Sequence, residues 1–190
     1  MTIIPDTKDW TWVLNRRCSE CEFDAAATKF DEIPGRTRRA ATRLAAVLDR
    51  SDATARPEPG IWSPLEYAAH VRDVCRIFEY RLSVLLTGAG TAPNVPAFDP
   101  EVRFLDDVPV LSNWDQDATA AAADYGIQDP TVVAEELERA AKAIADAFAA
   151  VPAADLSRMA RRSDGAVFTV TTLAQYFLHD LVHHVQDVRG

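Results

Sequence analysis

At 190 residues, 48% hydrophobic and 26% charged, the chain has the size and balance of one globular domain with a full core. A net charge of −9 argues against a nucleic-acid partner, since phosphate binding needs a basic surface; the clusters GRTRRAATR (35–43) and RMARR (158–162) read as solvated faces. No apolar run reaches bilayer length, and MTIIPDTKDWTWVLNRR puts acid and tryptophan where a secretory signal needs base and an apolar stretch, so we expect a cytoplasmic protein without a membrane partner.

Residues 1–30 read as an N-terminal extension of a domain spanning 1–190. Its DTKDWTWVL segment (6–14) suits either packing across the domain or a homodimer contact. The following CSEC (18–21) is a CxxC pair. A zinc site would need two more ligands, and there is no second CxxC; a redox pair usually opens a helix in a βαβ setting, which is absent. A structural or incidental role for Cys18 and Cys21 is therefore expected.

IPGRTRRAATRLAAVLDR (33–50) carries Thr37, Ala41, Leu44, Ala45 and Leu48 on one stripe and predicts the first helix. WSPLEYAAHVRDVCRIFEYRLSVLL (62–86) predicts the second, with Trp62 as an anchor. Ser63 caps it, Pro64 suits its first position, Glu66 completes a capping box, and Gly88 suits its end. The connection 89–115 is long and rich in Pro and Asp. It ends in SNWDQDATA (112–120), where Asn113 and Trp114 are candidate substrate contacts and Asp115 caps a short helix at 116–125. DPTVVAEELERAAKAIADAFAAVP (129–152) is a helix capped by Asp129, RRSDGAVFTV (161–170) reads as a small hairpin, and TTLAQYFLHDLVHHVQDV (171–188) is the last helix. The expected fold is all-α: a four-helix bundle over 33–188.

Three of the four histidines lie on that last helix. At roughly 100° per residue, His184 falls at the edge of the apolar arc and Asp180, one turn earlier, just beside it. His179 and His183 fall on the polar side. On the second helix His70 sits at the edge of the apolar arc, close to Val74 and Ile77. Two imidazoles and a carboxylate from these positions suit Zn²⁺ or another divalent transition metal, with positions left open for water or substrate. HVRDV (70–74) and HVQDV (184–188) also match, giving each histidine an aspartate three residues on, Asp73 and Asp187, to accept its second ring N–H.

These same residues carry a resemblance. WSPLEYAAHVRDV, HHVQDV and the bundle pattern over 33–188 resemble the DinB-like family, which includes mycothiol-dependent maleylpyruvate isomerase and bacillithiol transferases. The resemblance implies a four-helix bundle with a divalent metal, zinc or nickel, held by His70, Asp180 and His184. Asp180 departs from the His or Glu of the family and is shorter, which leaves His179 and His183 as alternative ligands. It further implies that the metal activates the thiol of a low-molecular-weight cofactor such as mycothiol, for S-transfer to, or isomerisation of, a small electrophile. No cysteine falls in the expected site, Cys75 lying within the apolar arc, so the nucleophile would come from outside. Two rival readings are a non-catalytic bundle that binds a metal or small ligand, and a redox protein acting through Cys18 and Cys21.

Overall fold

The structure, a computed structural model, describes residues 9–190; the first part of the 6–14 segment lies outside the described residues. Five helices follow one another: α1 (Ile33–Val47), α2 (Pro64–Thr87), α3 (Gln116–Ala122), α4 (Pro130–Ala149) and α5 (Val170–Asp187). α1, α2, α4 and α5 form the bundle, with α4 packed on α1 and α2 and α5 on the same two. Phe177 of α5 sits at its centre, with Phe78 of α2 at 5.3 Å and Phe148 of α4 at 5.5 Å between ring centroids. Full burial of one such ring stabilises by about 1.5–3 kcal/mol. Among the described residues no helix is long and apolar enough to cross a membrane.

The capping chemistry sets where the helices begin. Ser63 Oγ accepts the Glu66 N–H at 3.3 Å, and Glu66 Oε2 accepts the Ser63 N–H at 2.8 Å. Gly88 closes α2 in the left-handed region, φ +76°, its N–H bonded to the Val84 carbonyl at 2.8 Å. The short helix expected to reach 125 stops at Ala122, and Asp124 follows at φ +48°, a conformation that cannot continue a right-handed helix.

The all-α expectation is corrected by a four-stranded sheet, β1 (Arg103–Leu105), β2 (Val108–Leu111), β3 (Met159–Arg162) and β4 (Val167–Thr169), ordered β1-β2-β3-β4. The expected hairpin is β3–β4, antiparallel. The 89–115 connection adds a second hairpin, β1–β2, and β2 pairs in parallel with β3. The β1–β2 turn is Asp106–Asp107, at φ +51° and +63°, the two left-handed residues that a type I′ turn demands. The connection is thus fastened at its far end. The Asn113 N–H bonds Ser163 Oγ at 3.0 Å, and an Arg81 Nη donates to the Ser112 carbonyl at 2.7 Å.

Candidate metal centre

α2 and α5 bring His70, Asp180 and His184 to one point. His70 Nε2 lies 3.5 Å from Asp180 Oδ2, and His184 Nε2 lies 3.6 Å from Asp180 Oδ1. One ligand atom from each falls within 4.8 Å of the others, and the two imidazoles stand nearly perpendicular, 83°, at 5.0 Å. His70 is 1% exposed. Both its ring nitrogens, and Asp180 Oδ2, are buried without a hydrogen-bond partner. Stranding a polar atom in this way costs about 1–3 kcal/mol. A cation among them would satisfy His70 Nε2 and Asp180 Oδ2 together, so the donor set fits a divalent metal.

Neighbouring groups fix the donors in place. Asp187 Oδ2 lies 2.8 Å from His184 Nδ1 and holds the tautomer that leaves Nε2 free as a ligand. Trp114 stacks on His70, 5.2 Å and 4° off parallel, and Trp62 packs at 5.3 Å. Trp114 is itself held: its Nε1–H donates to Thr119 Oγ1 at 2.7 Å, and that hydroxyl donates to the Pro96 carbonyl at 2.6 Å. Tyr67 covers His184 at 5.0 Å.

Burial holds His70 below the usual histidine range despite the nearby Asp180, so the ring is neutral. Burial opposes ionisation of Asp180, but His184 and His70 outweigh it and keep the carboxyl well below the ordinary range. Burial likewise opposes charge on His184, but Asp180 and Asp187 raise its pKa to about 9.

Asp73 does not serve His70 as the matched HVRDV motif led us to expect. Its carboxylate accepts from Arg72 at 2.9 and 3.0 Å, from Arg76 at 2.9 Å and from the Tyr125 hydroxyl at 2.7 Å. The two arginines continue to Glu136, fastening α2 to α4. Asp73 is therefore a bundle clamp, and His70 Nδ1 is left without a partner.

Asp180 and His184 line a cavity of about 730 Å³. Asn113 and Trp114 line it as well, together with Tyr176 of α5 and Arg162 of β3, the latter missed by sequence reasoning because its place depends on the sheet. None of the described residues lining it is a cysteine. Cys75 is fully buried, and burial pushes its thiol above the ordinary range.

His179 and His183 are not part of this donor set, although both line the same cavity. They were expected on a polar face, but residues 9–32 lie over that face, leaving them only 4% and 8% exposed. Trp10 packs on both rings, and Phe23 on His179. The Cys18 and Cys21 sulfurs are brought to the same place, with one donor atom from each of the four within 4.8 Å of the rest. Partners for the CxxC pair were looked for among cysteines; the fold instead brings the HxxxH from the other end of the chain beside it.

The model of the DinB superfamily matches residues 35–188. The fold is similar to that of YfiT from Bacillus subtilis, described as a probable metal-dependent hydrolase with an unusual four-helix bundle topology. That likeness has a TM-score of 0.65 at 15% identity and covers 83% of this chain and 82% of that one. No curated protein matches the sequence.

Proposed function

The chain belongs to the DinB superfamily, and from that premise we propose that it is a metal-dependent enzyme whose cation is held by His70, Asp180 and His184. The observation that carries this reading is the pair of stranded donors, His70 Nε2 and Asp180 Oδ2, 3.5 Å apart, with Asp180 lining the cavity. Two nitrogens and one oxygen suit zinc or nickel. Three protein ligands leave room for a substrate atom, unlike a closed structural site.

When bound, such a cation lowers the pKa of a coordinated thiol or water and holds the deprotonated form ready for attack. We assign the entering group to a low-molecular-weight thiol such as mycothiol and the reaction to S-transfer or isomerisation of a small electrophile. Two features support this. The cavity supplies no cysteine of its own, and about 730 Å³ has room for a cofactor beside a small substrate. Asp187 keeps His184 Nε2 turned inward, and Trp114 and Trp62 hold His70 and keep water from it. Arg162 and Tyr176 offer a cationic and a hydroxyl contact to a polar substrate on the cavity wall.

A second reading, hydrolysis by activated water, draws on the description of YfiT. The test is metal analysis of tag-free protein with His70→Ala and His184→Ala, followed by a panel of thiols against model electrophiles and a panel of esters and amides. Loss of one metal equivalent in both variants, with metal-dependent thiol consumption in the wild type, is the expected result. Metal-dependent ester or amide cleavage without thiol would favour the hydrolase reading. Metal binding with neither activity would favour a non-catalytic bundle.

A further inference from the structure

We propose that Cys18, Cys21, His179 and His183 form a second metal centre, a closed tetrahedral Zn²⁺ site that staples the N-terminal segment to α5. The ligand order is C-x₂-C followed by H-x₃-H, the spacing of Cys₂His₂ structural zinc sites. The two histidines lie one turn apart on α5, and Cys18 precedes a tight turn at residues 19–21 that ends on Cys21.

The donors are already near their working separation. Zn–S of about 2.3 Å and Zn–N of about 2.0–2.1 Å in a tetrahedron put neighbouring donors roughly 3.3–3.8 Å apart. Cys18 Sγ and His183 Nδ1 are 3.8 Å apart, and all four donors lie within 4.8 Å of one another. His179 Nε2 is buried and has no hydrogen-bond partner, so it is available to face a cation. The other ring nitrogen of His183, Nε2, faces carboxylates: Glu20 at 3.3 Å and Asp187 at 3.9 Å. That arrangement holds the tautomer with Nδ1 free to ligate. Glu20 lies between the two cysteines, so the segment that brings the sulfurs also brings the group that orients the histidine.

The turn has a defined backbone: the Cys18 N–H bonds the Phe23 carbonyl at 2.8 Å, and Glu22 takes the left-handed conformation, φ +61°. Zn²⁺ with two thiolates and two imidazole ligands carries no net charge, each thiol giving up its proton on binding, which suits burial under Trp10 and Phe23. With all four positions filled by protein, this centre is structural. The segment it anchors carries Asp9, Trp10 and Glu20, which line the cavity of the first centre. His179 and His183 line that cavity too, so the second ion builds part of the wall of the first site.

The experiment is metal analysis and cobalt substitution of the tag-free protein kept reduced. The wild type is expected to hold two metal equivalents, and the cobalt form to show intense tetrahedral bands together with a near-ultraviolet sulfur-to-cobalt charge-transfer band. Cys18→Ser/Cys21→Ser is expected to lose one equivalent and that band. His70→Ala is expected to retain the band, whether or not it loses the other equivalent, so the failure of either centre can be told from failure of the other. If the double variant does not fold, the cobalt spectrum of the wild type still decides. Cobalt-loaded wild type without a sulfur charge-transfer band would overturn the proposal, and so would a Cys18–Cys21 disulfide persisting in metal-loaded protein.

Discussion

The start of α2 carries a buried ion pair whose loss should be measurable on its own. Glu66 is almost fully covered, its side chain 4% exposed, and its carboxylate accepts the Ser63 N–H, the Ser63 hydroxyl and the Arg56 guanidinium. Breaking a buried pair by removing one member costs about 3–5 kcal/mol, and losing a cap about 0.5–2. Arg56 is 32% exposed and rehydrates when freed, so the lower end applies. We expect Glu66→Ala to destabilise by about 3 kcal/mol and Arg56→Ala by about 2, because Ser63 still holds the stranded carboxylate. The double variant should cost little more than Glu66→Ala, giving a coupling of about 2 kcal/mol. At this chain length Glu66→Ala corresponds to a Tm about 6–12 °C lower. Urea unfolding of the four proteins, stripped of metal, supplies the cycle. The sign with pH is also fixed. Burial opposes ionisation of Glu66, but Arg56 and Ser63 outweigh it and hold the carboxyl below its ordinary 4.5. A lowered folded-state pKa gives stability that is complete above the unfolded value and is lost as pH falls through the folded one. The gap between wild type and Glu66→Ala should therefore be flat above about pH 5 and close in more acid solution. A coupling below about 0.5 kcal/mol would refute the reasoning.

Asp187→Asn removes the carboxylate from His184 and should weaken metal binding at the first centre about 10-fold or more, read by competition with a chromogenic chelator. Gly88→Ala forces a side chain into φ +76° and should cost about 1–2 kcal/mol in urea unfolding, with metal content unchanged. Phe177→Ala empties the contact between Phe78 and Phe148 and should cost about 3–5 kcal/mol by the same measurement.

The helices were legible because their ends carry local chemistry. Ser63, Glu66, Asp129 and Gly88 act within a turn or so of themselves, and short-range signals survive without knowledge of the fold. The convergence of His70, Asp180 and His184 was legible for a related reason: helical periodicity reports which edge of an apolar face a residue occupies. The sheet was not, since β2 and β3 pair across some fifty residues and the turn between β1 and β2 uses two aspartates rather than the usual Asn-Gly. Asp73 misled because the sequence match ignored Arg72 and Arg76, which bind its carboxylate ahead of the histidine. His179 and His183 misled because a helical wheel sees only the bundle, while a segment more than a hundred residues away in sequence covers the opposite face.

The two donor pairs on α5, His179 with His183 and Asp180 with His184, are one i, i+4 pair repeated with a shift of a single residue. They point about 100° apart around a common axis, and neither can turn without the other. The two faces are joined by a side chain as well as by the helix, since Asp187 lies 2.8 Å from His184 Nδ1 and 3.9 Å from His183 Nε2. With ions in both places, any effect of one on the other's affinity would be returned by the same factor. The cavity would then respond to the state of two cysteines that do not line it, with α5 acting as an axle rather than a wall.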